Sequence, residues 1–355
     1  MGKNPKLDIS EFKKNYTLKG IGTPDFYMGG DISRVPFNNP SGHATLMSAR
    51  SFIQNVVSRI ERVFERKLRS YTTPLPSGCH PEIDTSPLLV GIDISKYRML
   101  VGSAMWEITL GRYDIMFATI SMSRFGCAPR ENHMVLMLQI FGYLKSHNKA
   151  RILIDTNECI LPPDVSIVDN NWKELYPGAC EELPPDMPVP LMKPIGITVY
   201  VDADHASDLV TRRSVTGILV FINSTPIRWY SKRQNTVESS TYGSEFVAAR
   251  IAKDMIVEWR YKLRMVGVPI EGPSVLLGDN LSVVSSASIP SSTLKKKHTA
   301  IAYHSVREAN AANIIVMGHV NSKDNLADVL TKPVSGPINH KLINPILFRS
   351  EASTA

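Results

Sequence analysis

The segment 196–204, Gly-Ile-Thr-Val-Tyr-Val-Asp-Ala-Asp, constrains the fold of this chain more than any other stretch. It has the pattern of a β-strand, in which successive side chains point to opposite faces. One face carries Ile197, Val199 and Val201, and the other carries Thr198, Tyr200 and Asp202. A lone buried carboxylate is costly, but the end of a strand is a suitable place to bind a divalent cation. We therefore predict that Asp202 is a metal ligand, with Asp204 on the same face as the alternative.

After this strand the sequence alternates between short apolar runs and amphipathic stretches. Strands are predicted at 196–204, 214–223, 227–233, 275–278 and 314–320, and helices after Thr241, after Asn280, over 301–311 and over 325–331. Thr241 is the predicted N-cap of the long helix. Because 214–223 is apolar on both faces, it is expected to be central. The pattern predicts an α/β (α+β) domain, a mixed five-stranded sheet with flanking helices.

Three later acidic residues, Glu245, Asp279 and Asp328, also lie at the boundaries of predicted elements. Each has a structural alternative, respectively as a partner of the helix dipole, as a helix cap and as a solvated side chain. Together with Asp202 they predict one site at a sheet edge. Carboxylates without His or Cys favour Mg²⁺ or Mn²⁺. Two such ions can activate a water and stabilise the departing oxygen of a phosphodiester.

Length and composition set the context of this site. A chain of 355 residues suggests two domains. The net charge of +7 mildly favours a polyanionic partner. The four cysteines show no C-x-x-C spacing, which indicates reduced thiols in an intracellular compartment. No signal peptide is apparent, and the most apolar run, near 99–110, is too short to cross a bilayer, so no membrane partner is expected.

The first half is predicted to be a helical module. Apolar residues recur at helical spacing over 47–68, 97–110, 114–124 and 133–146. A Gly-rich stretch before them predicts a short hairpin. Prolines crowd 160–195, which is typical of a semi-rigid linker. The predicted segments are 1–32, 33–159, 160–195, 196–336 and a flexible tail over 337–355.

Six motifs of the second half resemble a known family. They are YVDADHASD at 200–208, TRRSVTG at 211–217, WYSKRQ at 229–234, SSTYGSEF at 239–246, GDN at 278–280 and NLADVLTKP at 325–333. In order and spacing they resemble the ribonuclease H domain of copia-type LTR-retrotransposon polyproteins. The resemblance implies a ribonuclease H-like fold over about 196–336. It also places Asp202, Glu245, Asp279 and Asp328 on the family's four metal-binding catalytic acids.

The first half resembles the same polyproteins. Residues 18–29 are similar to the end of the reverse transcriptase palm, and 97–105 and 112–125 to its thumb and connection. The Tyr-x-Asp-Asp pair of the polymerase is absent, because Ala203 interrupts the similar run after Tyr200. The resemblance therefore implies the C-terminal third of a Pol polyprotein, without a polymerase site.

The resemblance implies a ribonuclease H that cuts the RNA strand of RNA–DNA hybrids with two Mg²⁺ ions, or with Mn²⁺. Hybrid phosphates are expected to contact Lys295, Lys296, Lys297 and Arg233, so binding should be salt-sensitive. His319 is a candidate proton shuttle, with a plain surface histidine as the alternative. The expected partners are the hybrid and the remainder of the Pol polyprotein. The expected compartment is the cytoplasm, within virus-like particles, with the nucleus as the alternative.

Two other functions remain open from the sequence. One is a non-catalytic retroelement remnant, or a connection scaffold, that binds nucleic acid without cleaving it. The presence of all four acids argues against such decay. The other is a different ribonuclease H-like nuclease, such as an integrase, which would be expected to show another pattern of acids. Cleavage of labelled substrates distinguishes the three.

Overall fold

The computed structural model describes residues 14, 17, 24–39, 42–167, 171–172, 174–294 and 299–348. The predicted phosphate ligands Lys295, Lys296 and Lys297 lie outside the described residues, as does 349–355 of the predicted tail. Among the helices that are described, none is long and apolar enough to cross a membrane.

Among residues 24–39 and 42–154, the described part of the first half that carries its core, there are four α-helices and a small sheet. Its elements are β1 (Phe26–Tyr27), β2 (Gly30–Pro36), β3 (His43–Ser48), α1 (Arg50–Val63), α2 (Ile92–Thr109), α3 (Met116–Ser123), α4 (Glu131–Ser146) and β4 (Arg151–Ile154). The helices lie where the apolar spacing predicts them, and the hairpin of β1 and β2 lies in the Gly-rich stretch. The antiparallel sheet β1-β2-β3-β4 was not predicted. Its last pairing joins Thr45 to Ile154, which are distant in sequence.

The second half is built on a mixed sheet. Its elements are β5 (Ser166–Ile167), β6 (Ile197–Asp204), β7 (Val215–Ile222), β8 (Thr225–Arg233), α5 (Thr241–Met265), β9 (Ser274–Gly278), α6 (Leu281–Ser288), α7 (Ala300–Ala311), β10 (Ile315–His319), a 3₁₀ helix (Leu326–Leu330) and α8 (Gly336–Leu347). The strand order is β5-β10-β9-β6-β7-β8. Strands β6, β7 and β8 pair antiparallel, while β6, β9 and β10 pair parallel. The predicted ribonuclease H-like sheet is confirmed, with β5 added as a two-residue edge strand.

Both faces of this sheet are covered. On one face Val199 of β6 belongs to an apolar cluster with Ala252 of α5 and Tyr303 of α7. On the other face Tyr200 belongs to a cluster that includes Tyr113 of the first half. Adjacent residues of β6 thus pack into different cores, which confirms the alternation predicted from the sequence. The first half packs as a layer against this second face of the sheet, so the two halves share one apolar core.

Two segments are more ordered than the sequence suggested. The prediction of a flexible tail is wrong for Gly336–Leu347, because α8 buries apolar side chains against the sheet face, namely Leu342, Ile343 and Leu347. The Pro-rich segment 160–195, predicted as a linker, is attached to α5. The Glu181 carboxylate accepts from Arg260 Nε at 2.7 Å and from Arg260 Nη2 at 2.8 Å. This bidentate pair anchors the segment to the ribonuclease H-like half.

Candidate metal centre

Three of the four predicted acids meet at one rim of the sheet. Asp202 lies near the end of β6, Glu245 near the start of α5, and Asp279 directly after β9. One carboxylate oxygen from each lies within 4.8 Å of the others. Asp202 and Glu245 are buried, with 4% and 6% of their surface exposed, and Asp279 is half-buried. The structure brings Asp202, rather than its sequence alternative Asp204, into this group.

The parallel pairing of β6 and β9 brings Asp202 and Asp279 together. Tyr200 pairs with Leu277 in this register, and each acid follows two residues later, so the two acids lie at the same edge of the sheet. Asn280, and not Asp279, is the N-cap of α6, since its side-chain oxygen accepts from Val283 N at 3.3 Å. The capping alternative for Asp279 therefore does not apply, and its carboxylate is left for the site.

Glu245 reaches the site from the beginning of α5. The predicted N-cap, Thr241, is wrong by one residue: Ser240 has the extended backbone of a cap, and its hydroxyl accepts from Gly243 N at 3.3 Å. Thr241 is already the first helical residue. Glu245 therefore lies beyond the capping residues, and its carboxylate is directed to the end of β6, where Ala203 contributes a backbone hydrogen bond.

A close approach between β7 and the 3₁₀ helix brings in the fourth acid, Asp328. Gly217 of β7 is the register partner of Asp202. A Cβ atom at Gly217 would lie 2.6 Å from Thr331 Cγ2 and 2.8 Å from the Ala327 carbonyl oxygen, so a side chain there would push the turn away. Because position 217 is glycine, the turn that carries Asp328 packs beside Asp202.

Two residues next to Asp328 also belong to the site, and sequence reasoning gave them no role. The Thr331 hydroxyl donates to Oδ2 of Asp202. The Lys332 ammonium lies 3.0 Å from Oδ1 of Asp328 as an ion pair. The sequence feature that could have identified these two residues is their position in the motif Asn325–Pro333, shortly after Asp328.

The crowding of carboxylates disfavours their ionised forms. Burial, and then the neighbouring charge of Asp328, raise the pKa of Asp202 to about 7. Burial, followed by Asp202 and Asp279, raises the pKa of Glu245 well above its usual range. Burial also raises the pKa of Asp328, although Lys332 opposes this. A bound cation would oppose these shifts, because it stabilises the ionised carboxylates.

The residues present fit a hard divalent cation. Asp202, Glu245 and Asp279 can each offer one oxygen to a common ion. Oδ1 of Asp328, which is buried and pairs with Lys332, can supply a further oxygen. Oxygen-only ligand sets suit Mg²⁺ and Mn²⁺ and not the softer metals that prefer thiolates or imidazoles.

The other predicted site residues have separate surroundings. Arg233 Nη1 donates to Asp208 Oδ2 at 3.0 Å and so forms part of a structural ion pair. His319 is half-buried at the end of β10, and its Nε2 donates to the Asp279 carbonyl oxygen at 3.1 Å. His319 is therefore next to the acids, whereas Arg233 is committed to a carboxylate of the β6–β7 loop.

Comparison with known proteins relates the whole chain to one group. No protein-family model matches it. The Retrovirus-related Pol polyprotein from transposon RE1 of Arabidopsis thaliana is 24% identical over 339 residues, which cover 94% of this chain and 20% of the polyprotein. Over 91–94% of its length the chain is similar to retrovirus-related Pol polyproteins from transposons. It spans about a fifth of the length of these relatives.

Two further similarities cover parts of the chain. A Plasmopara viticola protein named Secreted RxLR effector protein 161 is 43% identical over 152 residues, which cover 43% of this chain and 82% of that protein. Among solved structures, the N-terminal RNase H domain of rv2228c from Mycobacterium tuberculosis matches with 14% identity and a TM-score of 0.30, covering 39% of this chain and 91% of that one. The ribonuclease H-like fold is defined by the strand order and pairing described above.

Proposed function

We propose that this chain is a metal-dependent endonuclease that cleaves the RNA strand of RNA–DNA hybrids during retrotransposon reverse transcription. The observation that carries the proposal is the meeting of oxygens from Asp202, Glu245 and Asp279 within 4.8 Å at the rim of a ribonuclease H-like sheet. Asp328 adds a fourth carboxylate, whose charge acts directly on Asp202. Similarity to Pol polyproteins from transposons over 94% of the chain supports the retroelement setting.

All four acids would be ligands of the divalent cations. Two divalent ions bound about 3.5–4 Å apart would activate a water and stabilise the leaving oxygen of a phosphodiester. Asp202 and Asp279 would bridge or hold the ions, and Glu245 and Asp328 would complete the set of oxygen ligands.

Two neighbouring side chains act on this arrangement without being ligands. The Thr331 hydroxyl donates to Asp202 and so fixes the orientation of its carboxylate. His319 donates through Nε2 to a carbonyl oxygen, which leaves Nδ1 as the nitrogen that can accept a proton. This tautomer agrees with the proton-shuttle role predicted for His319, which stays a prediction beside the surface-histidine alternative.

Substrate recognition would depend on charge and on the RNA sugar. With a net charge of +7, the chain is expected to bind the hybrid more weakly as salt increases. The 2′-hydroxyls and the minor-groove shape distinguish RNA from DNA. Phosphate contacts by Lys295, Lys296 and Lys297 remain a prediction. We expect the chain to act alongside the remainder of the Pol polyprotein, in the cytoplasm within virus-like particles.

The test is cleavage of a labelled RNA–DNA hybrid by the full chain with Mg²⁺ or Mn²⁺. Wild-type protein should cut the RNA strand, leaving a 3′-hydroxyl and a 5′-phosphate. Asp202→Asn should reduce the rate by at least about a hundredfold, because it removes charge from the ligand shared by both ions. The matched control is Asp254→Asn on α5, whose carboxylate is 49% exposed in an ion pair with Arg250 and should not affect the rate.

Other results would favour the alternatives. Binding of the hybrid by wild-type protein without cleavage in either metal would support a non-catalytic nucleic-acid-binding remnant. Equal cutting of duplex DNA and hybrid would support another ribonuclease H-like nuclease. Equal rates for wild-type and Asp202→Asn proteins would contradict the proposed site.

A further inference from the structure

Lys332 is a cation built into the acidic site. It follows the 3₁₀ helix that carries Asp328, four residues after the acid. Its ammonium lies 3.0 Å from Asp328 Oδ1. The Lys332 side chain is 40% exposed and the Asp328 side chain 11% exposed. The lysine therefore reaches into the site from its solvent side, and its charged end can leave without unfolding the turn.

The charge of Lys332 acts beyond its nearest partner. It favours the ionised forms of Asp202 and Glu245 as well as that of Asp328. A single ammonium thus offsets part of the charge that a metal ion would offset.

The contact with Asp328 is suited to exchange. The ammonium and the carboxylate form an ion pair at the edge of the site, where the Lys332 side chain is 40% exposed, so solvent can hydrate the ammonium when it leaves. The backbone of the turn does not depend on the ammonium. The backbone N–H groups of Thr331 and Lys332 donate to the Asp328 carbonyl oxygen at 3.2 and 3.3 Å and hold the turn. Asp328 would therefore remain in place when the ammonium leaves.

We propose that in the metal-free protein Lys332 occupies part of a cation position beside Asp328, and that a divalent ion must displace it to bind there. Two cations cannot share this position, because their mutual repulsion opposes simultaneous binding. Lys332 is thus a positioning residue that keeps the acids together without metal and weakens metal binding. This inference rests on the proposed metal site and adds a competitor for it.

The test is a calorimetric titration of the full chain with Mn²⁺. Lys332→Met should bind Mn²⁺ about tenfold more tightly than wild type, because the competing charge is gone. Lys332→Arg keeps the charge and should bind like wild type. Lys341→Met is the matched control, because Lys341 pairs with Asp324 and both side chains are largely exposed, at 53% and 38%. Unchanged or weaker Mn²⁺ binding by Lys332→Met would overturn the inference.

Thermal unfolding of the same proteins separates competition from a purely structural role. In EDTA, Lys332→Met should melt at a lower temperature than wild type, because the acids lose their counter-charge. In saturating Mn²⁺ it should melt at the same temperature or higher. A lower melting temperature in both conditions would mean that Lys332 only supports the fold, and the inference would fail.

The hybrid cleavage assay on these samples distinguishes this inference from the proposed function. Tighter Mn²⁺ binding by Lys332→Met with no cleavage by wild-type protein would overturn the nuclease and leave the competition intact. Cleavage by wild-type protein together with unaltered Mn²⁺ affinity in Lys332→Met would support the nuclease and overturn the competition by Lys332. No Mn²⁺ binding by wild-type protein would overturn both.

Discussion

The molecule contains two groups of buried charges, and they are neutralised in different ways. In the first half, the Asp114 carboxylate accepts from Arg112 Nε at 2.9 Å, from Arg112 Nη2 at 2.7 Å and from the Tyr143 hydroxyl at 2.8 Å. At the rim of the sheet, Asp202 has carboxylates as neighbours and Lys332 as a cation shared with Asp328. The first cluster is closed by its own side chains, whereas the second carries excess negative charge.

This difference separates a structural cluster from a binding site. In a buried pair of one cation and one anion the charges balance, so the carboxylate has no excess negative charge with which to hold a metal ion. The closed cluster also ties elements together, since Asn339 of α8 donates to the Tyr143 hydroxyl of α4 at 3.3 Å. Crowded carboxylates without matching donors, in contrast, store unfavourable energy that a bound cation relieves. Burial alone would not have told the two apart, because Asp114 and Asp202 are both nearly inaccessible, with 3% and 4% exposed.

The largest expected effect is on the closed cluster. Asp114→Ala leaves the Arg112 guanidinium buried without its counter-charge, so the free energy of unfolding should fall by about 3–5 kcal/mol in a urea titration. Asp254→Ala, at the exposed pair of α5, should change it by about 0.5 kcal/mol or less. A loss below about 1 kcal/mol for Asp114→Ala would remove the distinction drawn between the clusters.

The next effect concerns the open cluster without metal. Because the pKa of Asp202 is raised to about 7 in the folded chain, the folded state keeps a proton that the unfolded state loses near pH 4. In EDTA the stability should therefore fall as pH rises from about 4 to 7, by about 3 kcal/mol. Saturating Mn²⁺ should oppose this fall, since it binds the deprotonated acids. Urea titrations at each pH measure this, and an equal fall in Asp202→Asn would contradict it.

A comparable effect is expected at Glu107, a carboxyl beside the closed cluster. Its oxygens are buried without hydrogen-bond partners, and burial raises its pKa to about 8. Glu107 is then neutral at pH 7 and leaves the charges of Arg112 and Asp114 balanced. Since Glu107 ionises near pH 4.5 in the unfolded chain, wild type should lose stability between pH 5 and 8, and Glu107→Gln should lose less, by about 3 kcal/mol. Urea titrations that give the same pH dependence for both proteins would contradict this, because they would mean that Glu107 is ionised in the folded state.

The sequence predicted the second half better than the first. Strand β6 and its neighbours follow from alternating apolar residues, whose pattern is local. The small sheet of the first half depends on a pairing between Thr45 and Ile154, which no local pattern reveals. The tail helix was hidden by Pro337 and Pro345, although proline is tolerated in the first turn and the remaining residues bury an apolar stripe. Glu181 likewise attaches the Pro-rich segment through Arg260, a contact fixed by tertiary structure.

The acids of the site could be found from sequence because each lies where a strand or helix begins or ends. Their individual roles could not be found in the same way. In sequence, an Asp that ends a strand looks like an Asp that caps the next helix, and only the structure shows that Asn280 is the cap. Thr331 and Lys332 gained a role only through the approach of their turn to Gly217, which is a property of packing. The distinction between Asp202 and Asp204 also needed the geometry of the strand end.

The central claim is that acids from separate elements form one metal site, and Mn²⁺ diffraction tests it most directly. Crystals of the full chain soaked in Mn²⁺ should show an anomalous peak about 2.0–2.6 Å from oxygens of Asp202, Glu245 and Asp279. A second peak should adjoin Asp202 and Asp328, with the Lys332 ammonium displaced. Crystals with ordered acids and no anomalous peak among them, or with Mn²⁺ bound elsewhere, would contradict the account.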